Sequence, residues 1–268
     1  MKIFEKSKLP FGERIYQLFG RKILTRRRVA VRMQTLMEAV ADPRGVGMMN
    51  LLMAILGVPK KHRHLFYEMG EGDVCIDCGA NVGVFTDLAL NTGASVHLFE
   101  PNGMLIHILR RKYRDNKNVV VNHAAVAAEA GELTLYNAVD SRNEIGQTQG
   151  GSVVSDYFAR ENDAAAEIHC ERVSVVDLAT YIKSNFSCGD TPDGSPCIQP
   201  PVYLLKIDIE GAGFDLLEKM ISEKVFKLCK HIVVETHERM FPDGEKKLAR
   251  INAMISEHGA DNISLDWM

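Results

Sequence analysis

The strongest constraint on the fold is the segment Val74-Cys75-Ile76-Asp77-Cys78-Gly79-Ala80-Asn81-Val82-Gly83, a short apolar run that ends in an acid and two closely spaced glycines. Such a run, bounded by glycine, reads as a buried strand. The glycines let the chain turn tightly into a helix whose first N–H groups have no intrahelical partner. Strand, turn and helix start together bring bare backbone donors to one place, which suits a nucleotide-like ligand. Taken alone, the segment also fits a tight strand-to-helix turn that uses glycine only for geometry.

The rhythm continues down the chain. Apolar runs at 74–76, 95–99, 119–121, 202–209 and 231–235 are followed by helical patterns at 84–91, 104–113, 213–224 and 244–257. Alternation of this kind predicts an α/β fold, a doubly wound and mostly parallel sheet of six or seven strands covered by helices on both faces. Two stretches break the rhythm. Residues 125–128 and 132–136 read as a hairpin around Gly131, and the polar, Gly-rich loop 141–155 after them is long enough for a lid or acceptor loop. Residues 184–201 carry four prolines and read as a surface insertion.

The second strand, Ser95 to Phe99, runs into Glu100, Pro101 and Asn102. An acid at that point can accept both ribose hydroxyls of an adenosine-containing ligand. A dinucleotide site would want G-x-G-x-x-G, whereas here the glycines stand at 79 and 83 with Asp77 before them. That arrangement fits the amine and sulfonium of S-adenosylmethionine better than a pyrophosphate.

At this point the sequence resembles the FkbM-type methyltransferases of the class I S-adenosylmethionine-dependent fold, over about residues 70–240. The resemblance rests on four motifs in order: Asp77-Cys78-Gly79-Ala80-Asn81-Val82-Gly83, Phe99-Glu100-Pro101-Asn102, Leu205-Lys206-Ile207-Asp208-Ile209-Glu210-Gly211-Ala212, and Val233-Val234-Glu235-Thr236-His237. It implies that Asp77, Gly79, Ala80, Asn81 and Gly83 pack against the methionine and ribose parts of the cofactor. It implies also that Glu100, flanked by Pro101 and Asn102, holds the ribose, and that Asp208 borders the same pocket. O-methylation of a sugar, glycan or other polyhydroxylated metabolite is the activity it implies. Two departures stand out. Gly213 occupies a position where the family usually has a further Glu, and only one short run, 262–265, follows the last helix where two final strands, one antiparallel, are the norm.

Lys206, Asp208 and Glu210 alternate with Leu205, Ile207 and Ile209, so they share one face of a strand near its carboxyl end, where open α/β sheets bind ligands. Polar groups on a buried strand need partners or a use; a buried ion pair of Lys206 with Asp208 or Glu210 is one reading and catalysis the other. Glu235 and His237 end the next strand on a common face. His237 is the candidate base for taking a proton from the acceptor hydroxyl, with Asp208 or Glu235 orienting it or binding the acceptor. His237 also reads as a strand-end histidine satisfied by its neighbours. Asp208, Glu235 and His237 are alternatively a ligand set for Mg²⁺ or another divalent ion.

Charge is unevenly placed. The net value of −3 divides into about +9 over residues 1–70 and about −12 over the rest. Apolar residues at helical spacing over 33–40 and 48–56 add the expectation that the first segment is a basic helical extension, 1–70, ahead of a methyltransferase domain, 71–268. Arg21, Lys22, Arg26, Arg27, Arg28 and Arg32 form its densest patch, which suits a solvated face, an anionic membrane surface, a phosphorylated acceptor or nucleic acid. Nucleic acid is disfavoured, because Asp208-Ile209-Glu210-Gly211 stands where base methyltransferases often carry Asn-Pro-Pro-Tyr. A non-catalytic scaffold is disfavoured by the intact acid and glycines. The extension is also the candidate lid, acceptor-binding or homo-oligomer contact. The longest mostly apolar stretch, 48–58, is about half a bilayer span, and Lys and Glu stand where a signal peptide would be apolar, so the expected location is cytoplasmic with peripheral membrane contact allowed. Six cysteines with no export signal are expected to be reduced thiols; the C-x-x-C spacing of 75/78 is a minor candidate for a redox or metal role, and 188/197 for a bridge or a metal clip.

Overall fold

The computed structural model describes residues 4–8, 14–18, 21–24, 53, 58–139, 167–186, 201–209, 212–238 and 241–267. The chain divides into two compact units, Met1–Val58 and Pro59–Met268. The first departs from the helical expectation. It holds β1 (Phe4–Lys8), β2 (Arg14–Leu18) and β3 (Arg21–Leu24) in a three-stranded antiparallel sheet of order β1-β2-β3. The physical reason lies in the local sequence, where Phe4, Ile15, Tyr16 and Ile23 favour strands. The helices expected over 33–40 and 48–56 lie, except for Met53, outside the described residues.

The second unit carries a short helix, α1 (His64–Glu68), after a 3-10 turn at Lys60–His62, and is built on a six-stranded sheet. Its strands are β4 (Val74–Cys78), β5 (Ser95–Phe99), β6 (Val119–Asn122), β10 (Val202–Ile207), β11 (Cys229–Val234) and β12 (Ile263–Ser264). They lie in the order β12-β11-β10-β4-β5-β6, and every adjacent pair is parallel. Helices α2 (Val84–Asn91), α3 (Gly103–Tyr113), α4 (Leu178–Phe186), α5 (Gly213–Ser222) and α6 (Gly244–His258) complete the α/β fold. The last run, 262–265, supplies β12, so the sheet has six strands among the described residues and none of them is antiparallel.

β10 is buried along its whole length, and its near-continuous apolar sequence is what a central parallel strand requires. Ile76, Leu205, Ile207, Phe214, Leu217 and Ile232 belong to the core on which α5 packs. From β4 the chain proceeds outward to β5 and β6; after β9 (Glu167–Asp177) it crosses back to β10 and proceeds the other way. The strand order therefore reverses between β4 and β10, and the crevice at their carboxyl ends is where ligands bind in open sheets.

The expected hairpin is corrected. β7 (Ala125–Ala127) and β8 (Gly131–Val139) do not pair with each other; β9 lies between them, parallel to β7 and antiparallel to β8. With eleven residues, β9 is long enough to pair along the whole of β8 and still hold β7 on its other edge. The loop 141–155 and nearly all of the insertion 184–201, Cys188 and Cys197 included, lie outside the described residues. Among the described residues no helix is long and apolar enough to cross a membrane.

Candidate active site

The turn after β4 is shaped by backbone that only certain residues tolerate. Gly79 has φ +78°, and a Cβ there would come within 1.9 Å of the carbonyl oxygen of Asp208. Gly83, also at φ +78°, caps α2, where a side chain would meet the Tyr113 hydroxyl and Leu109. Between them Asn81 takes a left-handed φ of 51°, a conformation asparagine accepts more readily than most residues. Gly79 and Ala80 both donate their N–H groups to the Phe99 carbonyl at 3.0 Å, which ties the turn to the end of β5.

Glu100 locks the same turn. It is 5% exposed, and its two carboxylate oxygens accept the N–H groups of Asn81 at 2.8 Å and Asn102 at 2.9 Å. Burial pushes its carboxyl up to about 7, against the pull of those two donors and of Lys206. A carboxylate has about four lone-pair sites, so two remain for donors from a ligand. The Asn102 side chain serves the following helix instead. Its Oδ1 accepts the N–H groups of Met104 and Leu105 and caps α3. The Pro101 carbonyl lies 3.1 Å from His123 Nε2.

Asp77 is fully buried. Thr86 donates its hydroxyl to Oδ2 at 2.7 Å, and Lys206 Nζ reaches Oδ1 at 3.2 Å. Both oxygens are thus engaged by protein, and Asp77 supports the turn from behind. Lys206 is its register partner on β10. The same ammonium donates to the Gly79 carbonyl at 3.0 Å, lies 3.2 Å from Asp208 Oδ2, and sits over the Phe85 ring at 5.6 Å from its centroid. Burial alone would lower the Lys206 pKa, but Asp77 and Asp208 hold it well above the ordinary lysine range. Of the two roles open to Lys206, the geometry matches the buried ion pair, with Asp77 as a partner that the sequence did not indicate. Glu210 lies outside the described residues.

Asp208 and His237 meet across the ends of β10 and β11. His237 is 8% exposed and has φ 49°, uncommon outside glycine. Its Nε2 stands 3.4 Å from Asp208 Oδ1 and its Nδ1 3.6 Å from Glu235 Oε1. Burial would raise the Asp208 carboxyl, but the Lys206 ammonium beside it, followed by His237, keeps it well below the usual carboxylate range. One ligand atom from each of Asp208, Glu235 and His237 lies within 4.8 Å of the others.

Several supports have no clear signal in the sequence. Lys112 donates to the carbonyls of Val82 and Gly83 and pairs with Asp87, and the Tyr113 hydroxyl lies 2.9 Å from the Gly83 carbonyl. Phe85 meets Phe66 and Trp267 edge to face. For Thr86 the available signal is its place in the first turn after Gly83; nothing in the sequence pairs Lys112 with the turn. Cys75 and Cys78 are buried free thiols that burial, with Asp77 close by, keeps protonated, which argues against a redox or metal role.

Comparison with known proteins adds to this geometry. Residues 77–261 match the Methyltransferase FkbM domain family. A relative from Streptomyces tacrolimicus, 31-O-demethyl-FK506 methyltransferase FkbM, is 27% identical over an alignment of 213 residues that covers 72% of this chain and 74% of the relative. A crystal structure of methyltransferase FkbM from Methylobacillus flagellatus KT matches at 14% identity with a TM-score of 0.38, covering 83% of this chain and 51% of that one. The chain thus spans about half the length of that solved relative. The family match takes in the glycine turn, the carboxyl ends of the central strands and the His237 cluster, and the chain belongs to the FkbM methyltransferase domain family.

Proposed function

We propose that this chain is an S-adenosylmethionine-dependent O-methyltransferase that acts on a hydroxyl of a sugar, glycan or other polyhydroxylated metabolite. One observation carries the reading: a glycine cradle closed by buried Glu100, and an imidazole set between two carboxylates, stand at the ends of adjacent strands around the strand-order reversal. The relative's name, describing a methyltransferase for an O-demethyl compound, points to an oxygen acceptor. The cofactor fits the residues present. Gly79 and Gly83 let the turn take its left-handed bends tight against the Asp208 carbonyl and the Tyr113 hydroxyl, and Glu100 beside that turn retains acceptor capacity for ribose hydroxyls.

When bound, S-adenosylmethionine supplies the electrophilic methyl group. The chain aligns the acceptor oxygen with it and removes the acceptor's proton. His237 takes that proton on one ring nitrogen while the other donates to Asp208 or Glu235, which fixes the tautomer and stabilises the imidazolium. The long spacings of 3.4 and 3.6 Å leave room to tighten around an acceptor.

The compact grouping of Asp208, Glu235 and His237 favours a second reading, in which two carboxylates and one imidazole hold Mg²⁺ or Mn²⁺ that polarises the acceptor. The basic N-terminal segment is then proposed to draw in an anionic acceptor or membrane surface, or to join two copies of the chain.

Calorimetric titration with S-adenosylhomocysteine tests the main reading. Micromolar binding that is lost in Glu100→Ala supports it, whereas no binding to the unaltered protein removes its basis. Titration with Mn²⁺ separates the base from the metal: saturable binding abolished by Asp208→Asn favours the metal, and no binding leaves His237 as the base.

A further inference from the structure

The cofactor turn and the His237 cluster lie on different strands, and one side chain touches both. Lys206 Nζ has three acceptors, Asp77 Oδ1 at 3.2 Å, the Gly79 carbonyl at 3.0 Å and Asp208 Oδ2 at 3.2 Å. An ammonium has three N–H donors, so the set is complete and none is left for a substrate. Its side chain is 6% exposed, that of Asp77 is 0% and that of Asp208 is 21%. Asp77 and Gly79 belong to the turn that forms the cradle. Asp208 offers its other oxygen to His237 at 3.4 Å. The carboxylate that faces the imidazole is therefore held in place by a cation anchored in the cofactor turn.

We propose that Lys206 is a positioning residue that mechanically couples the cofactor cradle to the Asp208–His237 pair, so that filling the cradle reorients the base. The proposal deepens the methyltransferase reading and rests on it for what fills the cradle. Buried ion pairs have defined geometry because each donor lost leaves an uncompensated charge. A shift of the Gly79 carbonyl or of Asp77 thus moves the ammonium, and the ammonium moves Asp208. This gives the base its working orientation only when the methyl donor is present.

The test is histidine NMR on the full chain labelled at the imidazole carbons, with the His237 signal identified by its loss in His237→Asn. Saturating S-adenosylhomocysteine is expected to shift the His237 signal in the unaltered protein. In Lys206→Met, which keeps most of the side-chain volume and loses the charge, that shift is expected to vanish at saturation of the ligand. In the free protein, Asp77→Asn is expected to move the His237 signal, because Asp77 reaches that ring through Lys206.

A His237 signal unmoved by saturating ligand overturns the proposal, and so does a full shift in Lys206→Met. If Lys206→Met fails to fold, the Asp77→Asn comparison decides alone, and an unmoved signal there overturns it. Absence of any S-adenosylhomocysteine binding to the unaltered protein defeats the cofactor reading instead, and the Asp77→Asn arm still judges the coupling.

Discussion

The backbone of Gly79 passes so close to Asp208 that a Cβ on the glycine would stand 1.9 Å from the aspartate's carbonyl oxygen. The obstacle is main chain just past the carboxyl end of the neighbouring strand β10, which no rotamer change relieves. Gly79→Ala also imposes a left-handed φ on an L side chain. The variant is expected to lose at least about 3 kcal/mol of stability and its affinity for S-adenosylhomocysteine. Urea denaturation and ligand titration check this; an unchanged midpoint with intact binding would show that the turn can open without cost.

Glu100 makes the site sensitive to pH. Its carboxyl is pushed up to about 7 by burial, so the folded protein holds a proton that an unfolded glutamate releases near 4.5. Stability from this group is present at low pH and is lost as pH rises through about 7, by up to roughly 3 kcal/mol. Ligand binding runs in the opposite direction. Ribose hydroxyls donate to the ionised form, so affinity for S-adenosylhomocysteine should climb with pH to a plateau above about 7 and stand about tenfold lower near pH ~6. Thermal unfolding and calorimetry between about pH 5.5 and 8.5, repeated with Glu100→Gln, test both slopes. Parallel profiles for the two proteins would place the titration elsewhere.

Much of this was readable in the sequence because the signals were local. The bounds of β5 and α2 match the expected 95–99 and 84–91, since apolar period, glycine and helix spacing act within a few residues. What failed was partner choice. The run 125–136 looks like a hairpin, because two short strands flank Gly131, yet each pairs with β9, which begins only at Glu167. No local pattern records such an insertion. The alternation of Val173 and Val175 was available as a strand signal and was hidden behind the long polar stretch before it.

The same limit applied inside the site. Lys206 stood out as a charge on an apolar strand, but its pairing with Asp77 depends on β10 lying beside β4, which only the sheet order decides. At the N-terminus charge says nothing about strand or helix, while Phe4, Ile15, Tyr16 and Ile23, all β-favouring, fall in the three strands.

Asn102 separates a folding role from a binding role. Its Oδ1 caps α3 by accepting two backbone N–H groups. Asn102→Ala is expected to cost about 1 kcal/mol of stability, and Asn102→Ser, which keeps a capping oxygen, much less. S-adenosylhomocysteine affinity should track neither change if capping is the whole of its role. A Ser variant with full stability but weakened binding would place the Asn102 amide on the ligand.

His237 carries the sharpest prediction about chemistry. If its imidazole takes the acceptor's proton, His237→Ala lowers kcat by roughly 10² to 10⁴ and leaves S-adenosylhomocysteine affinity within a factor of about two, because the ring faces Asp208 and Glu235 rather than the glycine cradle. Asp208→Asn and Glu235→Gln then distinguish which carboxylate orients the ring: the one that does so lowers kcat with little change in acceptor KM, and the other raises KM. Methyl transfer from labelled S-adenosylmethionine to hydroxylated sugars and glycans supplies the measurement. Full turnover in His237→Ala would show that the acceptor loses its proton to solvent or to a metal-polarised path, and would move attention to the Mn²⁺ titration.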